Sequence, residues 1–201
     1  MKDIHSAEFN PIVFATHNLN KLQEVREMMN PSIQIISLDE AGISDDIDET
    51  GWHFSENASI KSHFIHNRTG MNAMADDSGL SVDALNGAPG IYSARYSGSR
   101  DQEKNIDKLL SELKHSTSRK GQFVCALSLI INKKEYMFKG SIPGTILFER
   151  KGAFGFGYDA VFQPDGYDIS FAEMKSNIKN NISHRALAMK DLNHFLENFN
   201  C

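Results

Sequence analysis

"PIVFATHNLNKLQEVREMM", residues 11–29, changes its period halfway through. Ile12 to Ala15 form a compact apolar run of strand type, and Leu22, Val25 and Met29 then recur at helical spacing. A strand feeding a helix through the polar loop "THNLNK" is the opening move of an α/β fold. Around it, "SIQIISL" (32–38) predicts a second strand, and "DEAGISDDIDETG" (39–51) an acidic connection punctuated by glycine. "SENASIKSHFIHN" (55–67) predicts a helix capped by Ser55, with Ala58, Phe64 and Ile65 inward. "MNAMAD" (71–76) predicts a short strand that ends in the paired acids Asp76 and Asp77.

The second half confirms the class. "DQEKNIDKLLSELKHS" (101–116) places Ile106, Leu109, Leu110 and Leu113 on one helical face, with acids early and lysines late. "QFVCALSLIINKKEYMFKGSIPGTILFE" (122–149) has two strand-like runs about the polar turn "NKKE", which predicts a hairpin. The last helix, from about Arg185, carries Ala188, Leu192, Phe195, Leu196 and Phe199 on one stripe. Strands alternating with helices and then a hairpin predict a mixed sheet flanked by helices. No composition break, repeat or low-complexity tract divides residues 1–201, so a single domain is expected.

Composition excludes several classes. With 201 residues and 40% hydrophobic content the chain can bury one sizeable core. Twenty-one basic residues against 26 acidic ones leave a net charge of -5, which argues against a nucleic-acid partner gripped by charge. No apolar run approaches the roughly 18 residues of a membrane span, and "MKDIHSAEFNPIVF" lacks the pattern of a signal peptide, so the expectation is a cytoplasmic protein with no membrane partner. Cys125 and Cys201 make neither a CxxC pair nor a disulfide framework; a buried thiol and a free tail are expected.

Four polar clusters sit where elements begin or end. "THNLNK" offers hydroxyl, amide and ammonium donors beside a helix N-terminus, a phosphate site in chemistry though without Walker glycines. Glu49, Glu56, Asp76 and Asp77, with Lys61 nearby, form an acid set. Convergent carboxylates repel by about 4 kcal/mol at 4 Å with an effective dielectric near 20, so they call for a cation, a proton or water. Mg²⁺ takes one or two carboxylates and leaves substrate phosphates and waters to complete its shell. "APGIYSARYSG" (88–98) carries Arg95 between Tyr92 and Tyr96; it either shapes a cleft, meets another subunit or is an ordered loop. "FGFGYDAVF" (154–162) and "KNNISHR" (179–185) offer Phe156 and Tyr158 rings to a flat base and Lys179, His184 and Arg185 as donors.

Taken in order, "THNLNK", "ETGWHFSENASIK", "DDSGLSVDALNGAPGIYSARYSG", "FGFGYDAVF" and "KNNISHRALA" closely resemble the inosine triphosphate pyrophosphatase family, also called XTP/dITP diphosphatases. The resemblance covers nearly the whole chain. It implies an elongated α/β fold with a mixed β-sheet flanked by helices, two lobes and a central cleft, a homodimer, and Mg²⁺-dependent hydrolysis of a purine nucleoside triphosphate (ITP, dITP or XTP) to monophosphate and pyrophosphate, which keeps such nucleotides out of nucleic acids. Carried over residue by residue, Thr16, His17, Asn18, Leu19, Asn20 and Lys21 match the family's substrate-binding segment. Glu49 and Asp77 match its metal-associated acids, and Asp77 its proton acceptor. Lys61, Ser78, Phe156, Gly157, Tyr158, Asp159, Lys179, His184 and Arg185 match substrate contacts. Two positions depart from the pattern: His17 stands where many relatives carry glycine, and Ala160 replaces the proline after "GYD".

Overall fold

The computed structural model of the chain describes residues 11–199; the free tail expected at Cys201 and the start of the N-terminal stretch lie outside them. Six strands make one mixed sheet in the order β2-β1-β3-β4-β5-β6. They are β1 (Ile12–Phe14), β2 (Ile35–Ile36), β3 (Asn72–Val82), β4 (Lys120–Ile131), β5 (Lys134–Ile146) and β6 (Phe162–Pro164). β1 runs parallel to β2 and β3, and the rest pair antiparallel. The helices are α1 (Leu19–Met28), α2 (Phe54–Thr69), α3 (Gln102–Glu112), α4 (Ser176–Ile182) and α5 (His184–Glu197).

The expected hairpin is β4–β5. Ile131 faces Lys134 across a two-residue turn in which Asn132 and Lys133 both have positive φ, 51° and 64°. That is the sense of turn that matches the right-handed twist of the two strands.

Three expectations are corrected. β3 does not stop at the acid pair but runs on for 11 residues through Val82, because Leu80 and Val82 bury their side chains in a second apolar cluster with Ile106, Leu109, Phe123 and Phe162. α2 begins at Phe54, not after Ser55, and its N-cap His53 makes no side-chain cap bond. Phe64 is 37% exposed while Ala58 and Ile65 are fully buried: residues 58 and 65 lie about two full turns apart, whereas residue 64 falls roughly 100° off that stripe.

The long strands connect two packed regions. One face of the sheet buries Ile12, Phe14, Met74, Cys125, Leu127 and Leu129 against α1 and α5; the opposite face buries Val13, Ala15, Ala73 and Ala75 with Ile65 of α2. Farther along β3 and β4 the second cluster takes over. Residues 76–79 occupy the changeover between the clusters, Met74 belonging to one and Leu80 to the other.

Candidate active site

The pleat of β3 decides what each acid can do, since successive side chains leave opposite faces of a strand. Asp76 shares its face with Met74 and therefore meets α1 and α5. Lys21 Nζ donates to its Oδ1 at 3.1 Å, Arg185 Nε and Nη2 donate to its Oδ2 at 3.1 and 2.8 Å, and Ser78 Oγ donates to Oδ2 at 3.1 Å. Burial pushes this carboxyl up, but Lys21 and Arg185 outweigh burial and hold it far below the usual carboxylate range. Asp76 is a permanent anion that places two cations.

Asp77 shares its face with Ala73 and Ala75 and meets α2. Asn57 Nδ2 donates to its Oδ2 at 3.0 Å, and the backbone N–H of Ser78 donates to Oδ1 at 3.0 Å. Burial raises its pKa; Lys61 and Lys21 lower it, the negative charge of Glu49 raises it again, and the carboxyl is pushed up to about 6. A group that holds a proton up to mildly acidic pH and is ionised at neutral pH is suited to accept one from water.

Glu49, in the connection before α2, is bonded by Lys61 Nζ and lies 3.5 Å from Arg95 Nη1. Burial raises its pKa, yet Lys61, Lys21 and Arg95 hold it lowered. Burial lowers the pKa of Lys61, but Asp77, Glu49 and Asp76 outweigh it and keep the pKa raised. Glu56, which the sequence grouped with these acids, stands apart: its Oε2 accepts the backbone N–H of Trp52 at 2.6 Å and serves the start of α2.

Asp77 and Glu49 line a cavity of about 700 Å³ together with Thr16, His17, Asn18, Ser78, Phe156 and His184, whereas Asp76 is buried behind its wall. Lys21, Lys61, Gly157, Tyr158, Asp159, Lys179 and Arg185 also border it. Leu19 and Asn20 do not; Leu19 is 74% exposed. The amides of Asn20 and Lys21 are bonded by Asn18 Oδ1 at 3.0 and 3.2 Å, so the N-cap consumes donors that the sequence offered to phosphate. His17 needs no relaxation from a positive φ, since its backbone is not in that region, and its Nε2 lies 3.0 Å from the carbonyl of Asp45, tying the acidic connection to the β1–α1 loop.

At the far end Gly155, with φ of +75°, lets the chain close over Asp159, whose Oδ2 accepts the Phe156 amide at 2.9 Å. A Cβ on Gly155 would strike that carboxylate. Lys179 Nζ donates to Asp159 at 2.6 Å and to Glu24 at 2.8 Å, and sits 4.8 Å from the Phe156 ring centroid. Tyr158 is not a base platform: it is 4% exposed and its hydroxyl donates to Ser93 O at 3.0 Å. His184 is buried and stacked on Phe123 with centroids 4.7 Å apart. Burial and the Arg185 and Lys179 charges keep its imidazole neutral, and its Nδ1 has no partner.

Sequence reasoning missed two residues that hold this site. Glu24 of α1 bridges Lys179 and Arg185, and Asn57, fully buried, clasps Asp77 with its amide nitrogen while its Oδ1 accepts the Gly51 amide at 2.8 Å. An acid on an amphipathic helix reads as solvated, and its partners lie more than 150 residues away; "ENA" at least flags Asn57 as a polar residue on the inward face of α2.

Two carboxylates from separate segments, with phosphate-seeking lysines around them, fit a Mg²⁺ ion completed by substrate and water. Among the described residues no group of three or more His, Cys, Asp or Glu forms a closed metal cage, and Asp76 is already spent on Lys21 and Arg185. Among the described residues no helix is long and apolar enough to cross a membrane.

Comparison with known proteins bears out the family resemblance. The dITP/XTP pyrophosphatase of Christiangramia forsetii is 43% identical over 186 residues, covering 92% of this chain and 98% of that protein. The dITP/XTP pyrophosphatase of Bacillus subtilis is 43% identical over 190 residues, covering 92% and 96%. The solved structure of the Staphylococcus aureus Ham1 protein superposes with a TM-score of 0.85 at 40% identity, covering 93% of this chain and 98% of that one. A HAM1 protein from Coxiella burnetii gives 0.87 at 36% identity, covering 95% and 100%. With the sheet order, the divided acid pair and a Ham1 family model matching residues 12–195, the chain belongs to the Ham1 family.

Proposed function

We propose that this protein hydrolyses dITP, ITP and XTP to the monophosphate and pyrophosphate, with Mg²⁺ as cofactor. The observation that carries the reading is the division of labour on β3: one acid fixed as an anion among cations, and its neighbour left proton-accepting beside Glu49 and Lys61.

Glu49 and Asp77 would hold the ion, which would supply Lewis acidity and charge neutralisation at the phosphates. Asp77 takes a proton from water as the water oxygen bonds to the α-phosphorus. The bond from that phosphorus to its bridging oxygen breaks, and the electron pair leaves with pyrophosphate. Lys21 and Lys61 offset the phosphate charge.

At the other end, Phe156 offers a face to the base. Lys179 has three N–H donors and spends two on Asp159 and Glu24, so one remains for an acceptor such as the 6-oxygen of hypoxanthine or xanthine. Adenine presents a donor at that position and leaves the ammonium unpaired, a mismatch that discriminates by roughly 10⁴ to 10⁵ where a site is built around the bond. Homodimeric assembly and a cytoplasmic location remain part of the proposal, carried by the family resemblance and the sequence reading.

The test is to incubate the purified chain with ITP, dITP, XTP, GTP and ATP, with Mg²⁺ or with chelator, and to resolve the phosphorus products. Pyrophosphate from the first three, lost with chelator, is expected. Orthophosphate release, or equal rates on ATP, would reject the reading.

A further inference from the structure

Arg95, the arginine between two tyrosines, has no part in the chemistry above. It ends the 3₁₀ segment Gly90–Arg95, and that segment is fixed from several sides. It packs on β3 at Gly79, where a Cβ would come within 2.6 Å of Gly90 O. Leu80 N donates to Ser93 Oγ at 2.9 Å, and Ser93 Oγ donates to Gly90 O at 2.6 Å. Asn105 of α3 donates to Ala94 O at 3.2 Å and accepts from Ser97 N at 2.7 Å, gripping the backbone on both sides of residue 95.

From this rigid base the guanidinium enters the cavity wall beside Glu49. The 3.5 Å separation is a loose ion pair, and the group lies 5.5 Å from the Tyr92 ring centroid. Among the described residues the Arg95 guanidinium donates no hydrogen bond. Buried Arg119, by contrast, spends all three nitrogens on carbonyls, and Arg185 spends all three of its own on Asp76, Glu24 and Ser78. The fold exhausts its buried guanidinium groups and leaves this one, 38% exposed and held by the loose pair with Glu49, facing the cleft.

Charged contacts give the cleft a direction. Lys179 and Phe156 mark one end, Arg185, Asp76 and Lys21 follow, and Glu49 with Lys61 stands beyond. A nucleotide with its base at Phe156 and its α-phosphorus at Asp77 must carry its outer phosphates past Glu49.

We propose that Arg95 binds the β- and γ-phosphates and holds the departing pyrophosphate, exchanging its loose contact with Glu49 for a bidentate phosphate contact when Glu49 turns to a divalent cation. This rests on the function proposed above. The planar fork matches two phosphate oxygens, and negative charge grows on that group as the bridging bond breaks.

Titration calorimetry of the full chain with inorganic pyrophosphate and with IMP, both with Mg²⁺, tests it. Arg95→Gln is expected to weaken pyrophosphate at least tenfold and to leave IMP within twofold, with Arg95→Lys between. Equal losses on the two ligands, which a merely structural role would give, no loss on pyrophosphate, or no pyrophosphate binding by the unchanged protein would overturn it. A protein that binds pyrophosphate through Arg95 but fails to cleave ITP would instead contradict the proposed function.

Discussion

Asp77→Asn is expected to abolish turnover and, at neutral pH, to make the protein more stable. Loss of a general base alone costs about 10²–10⁴ in rate, and the amide also cannot replace the charge offered to a cation. Stability moves the other way because the folded protein resists ionising this carboxyl. Its ordinary value is 3.8 and burial with Glu49 pushes it to about 6, so the neutral form is favoured in the folded state. That preference favours folding in full below the unfolded value and is lost as pH rises through the folded one. Above pH 6 the ionised group costs up to about 3 kcal/mol, which Asn does not incur. Melting curves without divalent ions should therefore show the variant several degrees higher at pH 7–8 and level with the parent near pH 4. A variant that turns over, or that melts lower at neutral pH than at pH 4 relative to the parent, would remove Asp77 from the site as described.

Arg185→Met should do the opposite. Arg185 is 1% exposed and pairs with both Asp76 and Glu24. Removing one partner of a buried pair leaves uncompensated charge and costs about 3–5 kcal/mol, which for a domain of this size corresponds to a fall in Tm of about 10 °C. The penalty requires Asp76 and Glu24 to be ionised. Both sit below their ordinary values in the intact protein, and without Arg185 both climb. The loss should accordingly be largest at neutral pH and narrow towards pH 4. A constant deficit across that range would mean that packing of the long side chain, not charge, is what the position supplies. Activity should fall as well, since Asp76 and Ser78 lose the group that fixes them.

These two expectations show why the sequence was informative at some positions and silent at others. Periodicity identified β1, α1, α3, α5 and the β4–β5 hairpin because each buries a single continuous face. It shortened β3, because Asp, Ser and Gly read as a turn when nothing reveals what packs on them. Here Gly79 is required by close contact with Ser93 and Gly90, and the acids are required by cations that arrive from α1, α2 and α5. The alternation of side chains along an extended chain was enough to send Asp76 and Asp77 to different faces. What each face contained depended on how α1, α2 and α5 pack, with partners 55, 20 and 109 residues away in sequence. Tyr158 and Phe156 illustrate the same limit: two aromatics flanking a glycine look equivalent, and only the bond from Tyr158 to Ser93 assigns one to the core. The N-cap at Asn18 was legible as a polar helix start; that it consumes two amides was not, since phosphate and side-chain oxygen compete for the same donors.

Which phosphorus water attacks is the point on which the roles of Glu49, Asp77 and Lys61 all turn. Hydrolysis of ITP by the purified protein in ¹⁸O-labelled water, with both products weighed by mass spectrometry, decides it. The label is expected in the nucleoside monophosphate with pyrophosphate unlabelled; label in pyrophosphate would place the attack on the β-phosphorus and contradict the assignment of Asp77.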